Sequence, residues 1–278
     1  MTASASFNDV LEPWLRRWAL TADGPAFETK FGSRLAPVLT ARGERAMLKL
    51  ASHPEEVAGG ALMAWWDGEG AARVLTREGE AILLDRLDGP GSLADMARQG
   101  RDDEATRILC TAAAGLHAPR PAPPPQTLVP LQTWFRALWL AENTTPAAFG
   151  AAADAARTLL AEPREPVVLH GDLHHDNVLD GGARGWLAID PKGLFGERCF
   201  EFANLFRNPD IGVALAPGRM ARQAAIVGES AAVDTARLLR WVLAYAGLGA
   251  AWSLQGGHDA DARSGLAIAE AALAELAS

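Results

Sequence analysis

Residues 167 to 196 form a polar segment in a half of the chain whose sequence otherwise favours helix. The segment reads VVLHGDLHHDNVLDGGARGWLAIDPKGLFG and contains a β-branched start, a run of His, Asp and Asn, and a Gly-Gly turn. Glycine, proline and the turn-forming Asp-Asn pair disfavour a helix, whereas the apolar runs at both ends suit short strands. Because loops held between strands commonly carry functional side chains, we expect a site here.

The rest of the chain predicts two regions of different character. Up to residue 87, apolar runs at 34–40 and 45–50 predict two strands, Ser52 is placed as a helix N-cap, and ARVL and AILLDRL predict two more strands. Beyond residue 88, alanine-rich segments predict helices at 92–99, 102–117, 131–142, 146–161, 216–228, 232–254 and 260–276. The predicted class is therefore α+β with two lobes: a small antiparallel sheet with a helix over residues 1–87, and a mostly helical lobe over residues 88–278.

Charge and cysteine content disfavour several classes of protein. The 278 residues carry 26 basic and 34 acidic side chains, a net charge of −8, which disfavours nucleic acid and suits a cationic small molecule. Cys110 and Cys199 have no metal-ligand neighbours, so neither a disulfide framework nor a zinc ribbon is expected. No signal peptide is visible, and the longest uncharged apolar run, 241–254, is too short to span a bilayer. We expect a cytoplasmic protein with no membrane or nucleic-acid partner.

The polar segment has the spacing of a kinase catalytic loop. His170, Asp172 and Asn177 fit the pattern H-x-D-x-x-x-x-N, and Asp190 ends a predicted strand thirteen residues after Asn177. Phosphoryl transfer needs a carboxylate at the attacking hydroxyl and separate oxygen ligands for magnesium on the phosphates. Asp172 would supply the first, and Asn177 and Asp190 the second. The order and spacing predict a phosphotransferase that uses ATP and Mg²⁺.

Lysine is scarce in this chain, and its positions are informative. Lys30, Lys49 and Lys192 stand against 23 arginines. Lys49 lies in the strand-like run RAMLKL just before the helix start, where an ammonium paired with a helix carboxylate would hold ATP phosphates. Glu56 is the expected partner, with Glu55 as the alternative because both lie in one turn.

Two further positions are candidates for contact with phosphate. Gly32 and Ser33 precede the first strand, where a loop of small residues can offer backbone N–H groups to phosphate even without a G-x-G-x-x-G pattern. Gly32 has the alternative role of a turn glycine. Lys192 follows Asp190 by two residues, close enough to reach the transferred phosphate or the acceptor, and the place of Lys30 beside the loop stays open.

A metal-dependent hydrolase is the competing interpretation of the same segment. Its ligands for zinc or iron would come from His170, Asp172, His174, His175, Asp176 and Asp190. His170 and His174 would share a metal only in helical i, i+4 placement, which Gly171 disfavours. A kinase of another small metabolite is also open, because it would share every motif. We assign no catalytic role to His174 or His175.

The chain as a whole resembles a known family. Similarity to the aminoglycoside/hydroxyurea phosphotransferases, typified by streptomycin 6-kinase, spans about residues 24–255. It rests on AMLKL, GALMAWWDGEGAARVL, AILLDRL, LHAPRPAP, LHGDLHHDNVL, GWLAIDPKGLFG and EFANLFRNP. The resemblance implies a two-lobed protein-kinase-like fold, ATP in the cleft, and transfer of its γ-phosphate to a hydroxyl of a cationic aminoglycoside such as streptomycin, which confers antibiotic resistance.

Matched by position, the resemblance implies a role for each candidate residue. Asp172 would be the catalytic base, Asn177 and Asp190 the magnesium ligands, and Lys49 with Glu56 the phosphate-positioning pair. The hinge, whose backbone would meet adenine, comprises Asp85, Arg86 and Leu87.

The chain departs from the family pattern at two acidic positions. Family members often carry aspartates after the Asp-Pro-Lys-Gly segment, where this chain has Glu197 and Glu201. The added methylene leaves open whether a buried hydrogen-bonding role survives there. Near the site in sequence lie Asp176, Glu197, Glu201 and Asp210, whose charges would attract a cationic substrate.

Overall fold

The computed structural model describes residues 7–29, 32–141 and 147–278. Lys30 lies outside the described residues. The first part of the chain builds a six-stranded antiparallel sheet. Its strands are β1 (Thr21–Ala22), β2 (Phe27–Glu28), β3 (Arg34–Leu39), β4 (Arg45–Leu50), β5 (Val74–Glu78) and β6 (Ala81–Asp85). Helix α1 (Phe7–Arg17) precedes the sheet, and α2 (Pro54–Trp66) connects β4 to β5.

The strand order is β1-β3-β4-β6-β5, with β2 paired to β3. The predicted succession of two strands, a helix and two strands is found in β3, β4, α2, β5 and β6. The sequence did not predict β1 and β2, because each has two residues and leaves no alternating pattern to detect.

Strand alternation in β4 decides where Lys49 points. Ala46 and Leu48 enter the core on one face of the sheet, which α1 covers through Leu11. Lys49 points to the opposite face beside its register partner Ile82, which belongs to the core shared with α2. The lysine therefore faces the helix that carries its expected carboxylate partner.

Helix α2 begins one residue later than predicted. His53, not Ser52, is the N-cap, and it makes no side-chain capping bond. Pro54 occupies the first helical turn, where its missing N–H costs nothing. Ser52 instead donates its backbone N–H to Glu56 Oε2 at 2.8 Å. The first turn of the helix is thus closed by the carboxylate expected to meet Lys49.

Most of the remaining described residues are helical, as predicted. The helices are α3 (Leu93–Arg98), α4 (Asp102–His117), α5 (Leu131–Trp134), α6 (Arg136–Ala141), α7 (Ala148–Ala161), α8 (Ile211–Ala214), α9 (Arg219–Ala231), α10 (Thr235–Gln255) and α11 (Asp259–Leu276). α10 is the central helix, with Trp241, Val242 and Tyr245 buried in the core. Within the described residues, no helix combines the length and the apolar character needed to cross a lipid bilayer.

Short strands interrupt the helices around the polar segment. They are β7 (Val129–Pro130), β8 (Pro166–Leu169), β9 (Val178–Asp180), β10 (Trp186–Ala188) and β11 (Leu194–Glu197). β9 and β10 form the predicted hairpin, and β11 pairs with β8 and β7. A 3₁₀ helix, Arg198–Arg207, follows β11 directly. The sequence did not predict it, since 3₁₀ helices of this length are uncommon.

Candidate active site

Asp172 lies in the loop after β8, at a cleft between the sheet and the helices. Its Oδ1 accepts a hydrogen bond from Asn204 Nδ2 at 2.9 Å. Asn177 Nδ2 donates to the Asp172 backbone carbonyl at 2.9 Å and lies 3.4 Å from Oδ2. Lys192 Nζ lies 3.7 Å from the same Oδ2. The side chain is 25% exposed, so one side of the carboxylate remains open to the cleft.

His170 and Gly171 set the conformation of this loop. Gly171 has φ +80°, and a Cβ there would lie 2.6 Å from the Leu194 side chain. The buried His170 ring contacts the Ile189 carbonyl through Nε2 at 2.7 Å and accepts the Asp172 N–H at Nδ1. His170 therefore shapes the loop and does not line the cleft.

Glu201 lies beneath the loop and holds its backbone. Its carboxylate accepts the N–H groups of His170 at 2.7 Å and Gly171 at 2.9 Å, and His117 Nε2 lies 3.0 Å from it. Burial alone would raise the pKa of Glu201, but the His117 hydrogen bond, the histidine charges and the Gly171 amide outweigh it and lower that pKa. Glutamate at this position therefore keeps a buried, hydrogen-bonded role.

Glu197 plays a comparable structural part at the end of β11. Arg237 donates to it from Nε at 2.6 Å and from Nη2 at 2.5 Å, and the Arg164 N–H adds a third bond at 3.1 Å. The hydrogen bond to Glu197 raises the pKa of Arg237 despite its burial. The second departure from the family pattern is thus also a satisfied buried carboxylate.

Lys49 meets two carboxylates beside the cleft. Its Nζ lies 3.1 Å from Glu56 Oε1 and 2.5 Å from Asp190 Oδ1. Glu56 Oε2 also accepts the Ser33 hydroxyl at 2.5 Å. Burial opposes ionisation of Glu56, but the Ser33 hydrogen bond and the Lys49 charge outweigh it and lower the pKa of Glu56 to about 2. The structure pairs Lys49 with Glu56 and leaves Glu55 exposed on the cleft wall.

Asn177 and Asp190 present oxygen donors of the kind that magnesium prefers. Because the Asn177 amide directs its N–H to Asp172, its carbonyl oxygen remains for a ligand. Asp190 lies just after β10 with φ +59°, a value uncommon among non-glycine residues, and its side chain is one-third exposed. Mg²⁺ is commonly bound by one or two side-chain oxygens together with water and substrate phosphates, so this donor set fits magnesium held on ATP.

The histidines do not support the alternative of a zinc or iron hydrolase. Among the residues that the structure describes, no group of three His, Cys, Asp or Glu side chains could hold a metal ion. His170 contacts the Ile189 carbonyl, His174 lines the cleft, and His175 is buried 3.8 Å from Asp102. The three histidines have separate surroundings and share no ligand position.

The backbone amides of Gly32 and Ser33 in the expected phosphate loop already have partners in the structure. The Gly32 N–H donates to the Thr29 carbonyl at 2.9 Å, and the Ser33 N–H donates to the Thr29 hydroxyl at 3.1 Å. Both amides are therefore used within their own turn, where Gly32 adopts φ +89°. Ser33 instead contributes its hydroxyl to Glu56.

The expected hinge follows β6, but part of its backbone is already bonded. The Asp85 N–H donates to the Arg73 carbonyl, and the Arg86 N–H donates to the Arg45 carbonyl. Within the described residues, no hydrogen bond is formed by the Leu87 backbone. Of the three hinge candidates, Leu87 is the residue whose N–H and carbonyl both remain able to bind a ligand.

Most of the acidic residues expected to attract the substrate do not line the cleft. Glu197 and Glu201 are buried and bonded, and Asp210 caps α8 and pairs with Arg98 at 2.9 Å. Asp176 does line the cleft. The four charges therefore do not act together on a substrate, because three of them are neutralised elsewhere.

The cleft has a volume of about 1310 Å³. Its lining includes three aromatic side chains that we call the aromatic wall: Trp134, Tyr245 and Trp252. Trp134 and Trp252 are in edge-to-face contact, with ring centroids 5.2 Å apart. The Arg207 guanidinium lies over the Tyr245 ring at 5.5 Å, in space that Gly249 leaves free. The cleft that contains Asp172 is thus also lined by two tryptophan rings and by the Arg207 guanidinium.

Sequence reasoning missed the aromatic wall, Asn204 and Arg207. A signal for two of them was present, because the polar residues of EFANLFR recur every three positions, which is the period of a 3₁₀ helix. The 3₁₀ helix places Glu201 and Asn204 against the catalytic loop and Arg207 in the cleft.

The sequence model of the aminoglycoside/hydroxyurea antibiotic resistance kinases matches residues 17–257. The chain belongs to this family. The match covers the span over which the motifs resemble these enzymes, so that resemblance is confirmed. This kinase is 48% identical to streptomycin 3''-kinase from Klebsiella pneumoniae, over 94% of its own length and 98% of the relative's.

Two further relatives are less similar to this kinase. It is 33% identical to streptomycin 6-kinase from Streptomyces griseus, over 92% of its own length and 85% of the relative's. It is 34% identical to hydroxyurea phosphotransferase from Kitasatospora aureofaciens, over 94% of its own length and 77% of the relative's. The expected likeness to the 6-kinases is therefore weaker than the likeness to the 3''-kinase.

Solved structures confirm the predicted fold class of this kinase. The aminoglycoside phosphotransferase APH(4)-Ia superimposes with a TM-score of 0.68 at 15% identity, covering 97% of this chain and 98% of the other. A choline kinase from Cryptosporidium parvum superimposes with a TM-score of 0.67 at 12% identity, covering 97% and 96%. At such identities the likeness shows the fold alone, which is the two-lobed protein-kinase-like fold.

Proposed function

We propose that this kinase transfers the γ-phosphate of ATP to streptomycin, at the 3'' hydroxyl group. The observation that carries the proposal is the assembly of Lys49, Asp172, Asn177 and Asp190 around one cleft. The 48% identity to a streptomycin 3''-kinase over nearly all of both chains supports the acceptor. The identity to a streptomycin 6-kinase is lower, at 33%, which favours position 3'' over position 6.

The sheet lobe, residues 1–87, would position ATP. The Leu87 backbone would meet adenine, and Lys49, oriented by Glu56, would offset the charge of the phosphates. Asn177 and Asp190 would hold Mg²⁺, which supplies charge neutralisation on the phosphate oxygens when bound. Lys49 would then exchange its contact with Asp190 for contacts with phosphate.

The helical lobe, residues 88–278, would carry the acceptor and the chemical step. Asp172 orients the acceptor hydroxyl and takes its proton, while the new oxygen–phosphorus bond forms and the bond to the ADP oxygen breaks. Lys192, 3.7 Å from Asp172 Oδ2, places a positive charge next to the phosphoryl group in transit. Asp172 and Lys192 would act through their placement and charge, because neither forms a covalent bond to the phosphoryl group.

The aromatic wall would bind the aminoglycoside. The ring faces of Trp134 and Trp252 attract cationic groups, and the Asp176 carboxylate lines the same cleft. This combination suits a cationic acceptor better than the buried glutamates do. Arg207 would face the neutral, oxygen-rich part of the acceptor, because a guanidinium repels other cations.

A substrate panel tests the acceptor. Purified protein is assayed for ADP release with streptomycin, other aminoglycosides, hydroxyurea and simple sugars, and the phosphate ester is located by NMR. We expect turnover with streptomycin and an ester at the 3'' oxygen. An ester at another oxygen would contradict the assigned position, and no turnover with any aminoglycoside would favour a kinase of another small metabolite.

Asp172→Ala tests the mechanism. We expect kcat for ADP release to fall by roughly 10²–10⁴-fold, because the base is lost, while ATP binding measured by calorimetry persists. Asp154→Ala removes an exposed carboxylate on α7 and is the matched control, with turnover unchanged. Retained turnover in Asp172→Ala would contradict the mechanism.

A further inference from the structure

The orientation of the Asp172 carboxylate depends on a residue outside the catalytic loop. The terminal torsion of an aspartate side chain has broad minima, so the side chain alone does not fix the plane of the carboxylate. Asn204 Nδ2 donates to Asp172 Oδ1 at 2.9 Å, whereas the contact from Asn177 to Oδ2 is longer, at 3.4 Å. The shorter of these two bonds comes from the 3₁₀ helix.

The 3₁₀ helix contacts the catalytic loop twice from one row of side chains. Glu201 and Asn204 are three residues apart, which is one turn of a 3₁₀ helix, so one lies above the other. Glu201 holds the N–H groups of His170 and Gly171, and Asn204 holds the Asp172 side chain. One element therefore sets both the backbone and the carboxylate of the catalytic residue.

A neighbouring asparagine determines which way the Asn204 amide faces. Asn208 Nδ2 donates to Asn204 Oδ1 at 3.2 Å and to the Asn204 carbonyl at 2.9 Å. Because Oδ1 is the acceptor for Asn208, the Nδ2 group of Asn204 is directed to Asp172. Asn208 is held in turn by Arg219, which donates to its carbonyl at 3.1 Å and pairs with Asp102 at 2.7 Å.

We propose that Asn204 is a positioning residue for phosphoryl transfer and that Asn208 acts through it by fixing the orientation of its amide. Asn204 is buried and bonds to Asp172, and its amide groups are already used by Asp172 and Asn208. Its loss should therefore change the chemical step and leave substrate binding in place. The inference rests on the proposed function, since it requires Asp172 to be the base.

Two substitutions separate a hydrogen-bonding role from a packing role. Asn204→Ala removes the donor, and Asn204→Asp keeps the volume but replaces the donor with a like charge beside Asp172. We expect kcat to fall by roughly 10²-fold in Asn204→Ala, as a misplaced catalytic group would cause, with KM for ATP and for streptomycin nearly unchanged. Asn204→Asp should have the lower kcat of the two. If packing were the role, Asn204→Asp would be the more active variant, and that order would overturn the inference.

Cys199→Ala is the matched control within the same helix. Cys199 is buried on a different row of the 3₁₀ helix, and the described side-chain bonds to the Asp172 carboxylate come from other residues. We expect its kcat to equal that of the wild type at a temperature where circular dichroism shows all variants folded. An equal loss of kcat in Cys199→Ala would show that any disturbance of the helix suffices and would overturn the specific role of Asn204.

A double-mutant cycle tests the action of Asn208 through Asn204. Asn208→Ala should lower kcat less than Asn204→Ala, because the amide of Asn204 then turns between two orientations. In the Asn204→Ala background, Asn208→Ala should have no further effect, as expected when one residue acts through the other. Additive losses would overturn this part of the inference.

The same assays distinguish failure of the inference from failure of the proposed function. If Asp172→Ala retains turnover, Asp172 is not the base, so the mechanism given under the proposed function is wrong and the inference for Asn204 is overturned with it. If Asp172→Ala is inactive while both Asn204 variants keep wild-type kcat, the base is confirmed and the positioning role of Asn204 is wrong.

Discussion

The molecule contains two sets of charged residues that resemble each other in composition but differ in their surroundings. Around the cleft, Lys49 lies between Glu56 and Asp190, and the Asp190 side chain is 34% exposed. Behind the catalytic loop, Glu197 pairs with Arg237, and their side chains are 2% and 9% exposed. Both sets pair carboxylates with cations, yet they are suited to different tasks.

The difference lies in how completely the hydrogen-bonding capacity of each carboxylate is used. Glu197 accepts two bonds from Arg237 and one from a backbone N–H, so protein groups alone satisfy it. Asp190 makes its contact to Lys49 through one oxygen and faces the cleft. A buried, saturated charge cannot lose its partner without a large cost in stability, whereas a partly exposed charge with unused capacity can bind a ligand.

The largest effect on stability is expected behind the loop. Arg237→Ala should lower the free energy of unfolding by about 3–5 kcal/mol, because Glu197 is left buried without its partner. Urea unfolding measures the loss, with Arg16→Ala, which breaks an exposed pair with Glu12, as the control. An equally small change in both variants would remove the distinction between the two sets of charges.

The next largest effect is expected in the cleft, and on catalysis. Lys49→Met should lower kcat/KM for ATP by roughly 10²–10³-fold, because the charge that offsets the phosphates is lost. Its stability should change less than that of Arg237→Ala. Arg45→Met replaces an exposed cation on the same strand and should leave kcat/KM near wild type. If Lys49→Met lost stability but kept its kcat/KM, Lys49 would be a structural charge and not a ligand-binding one, which is the opposite of what we expect.

A smaller effect is expected where α2 packs against the cleft. A Cβ at Gly59 would lie 2.2 Å from the Pro191 carbonyl oxygen, whereas one at Gly60 would lie 3.2 Å from the end of the Ile82 side chain. Gly59→Ala should therefore displace α2, costing about 1–3 kcal/mol in stability and weakening the Lys49 to Glu56 contact. Gly60→Ala is the matched control. If Gly59→Ala and Gly60→Ala had the same kcat/KM for ATP, the predicted displacement of α2 would be wrong.

The sequence singled out Asp172, Asn177 and Lys49 because phosphoryl-transfer chemistry requires particular residue types at fixed spacing. Asp172 and Asn177 lie in one loop, and Lys49 stands out in a chain that otherwise uses arginine. The sequence did not predict the pairs behind the loop, since Glu197 and Arg237 are 40 positions apart and only folding brings them together. Pairs of this kind leave no local pattern.

The fold was predicted where the elements are long enough to show periodicity. Strands β3 to β6 and the long helices follow from alternation and from helical spacing. The two-residue strands and the 3₁₀ helix were missed, and so were the bonds from Thr29 that occupy the amides of Gly32 and Ser33. Those bonds depend on turn geometry that the residue types alone do not specify.

The smallest expected effect is a pH dependence that belongs to the cleft carboxylate Glu56. Its pKa falls from 4.5 to about 2 on folding, so between these values the unfolded chain binds a proton that the folded chain does not. The stability contributed by ionised Glu56 is complete above pH 4.5 and is lost as the pH falls through about 2.

Urea unfolding of the wild type and Glu56→Gln between pH 2.5 and pH 6 measures that contribution. The difference in unfolding free energy should be about 1 kcal/mol above pH 5, because water in the cleft screens part of the interaction, and should shrink as the pH falls. Glu55→Gln, one residue away on the cleft wall, is the matched control and should show a smaller difference. A difference for Glu56→Gln that stays constant down to pH 2.5 would mean that packing, and not the ionised contact with Lys49 and Ser33, is what the glutamate contributes. Glu56 would then belong with the buried structural charges behind the loop.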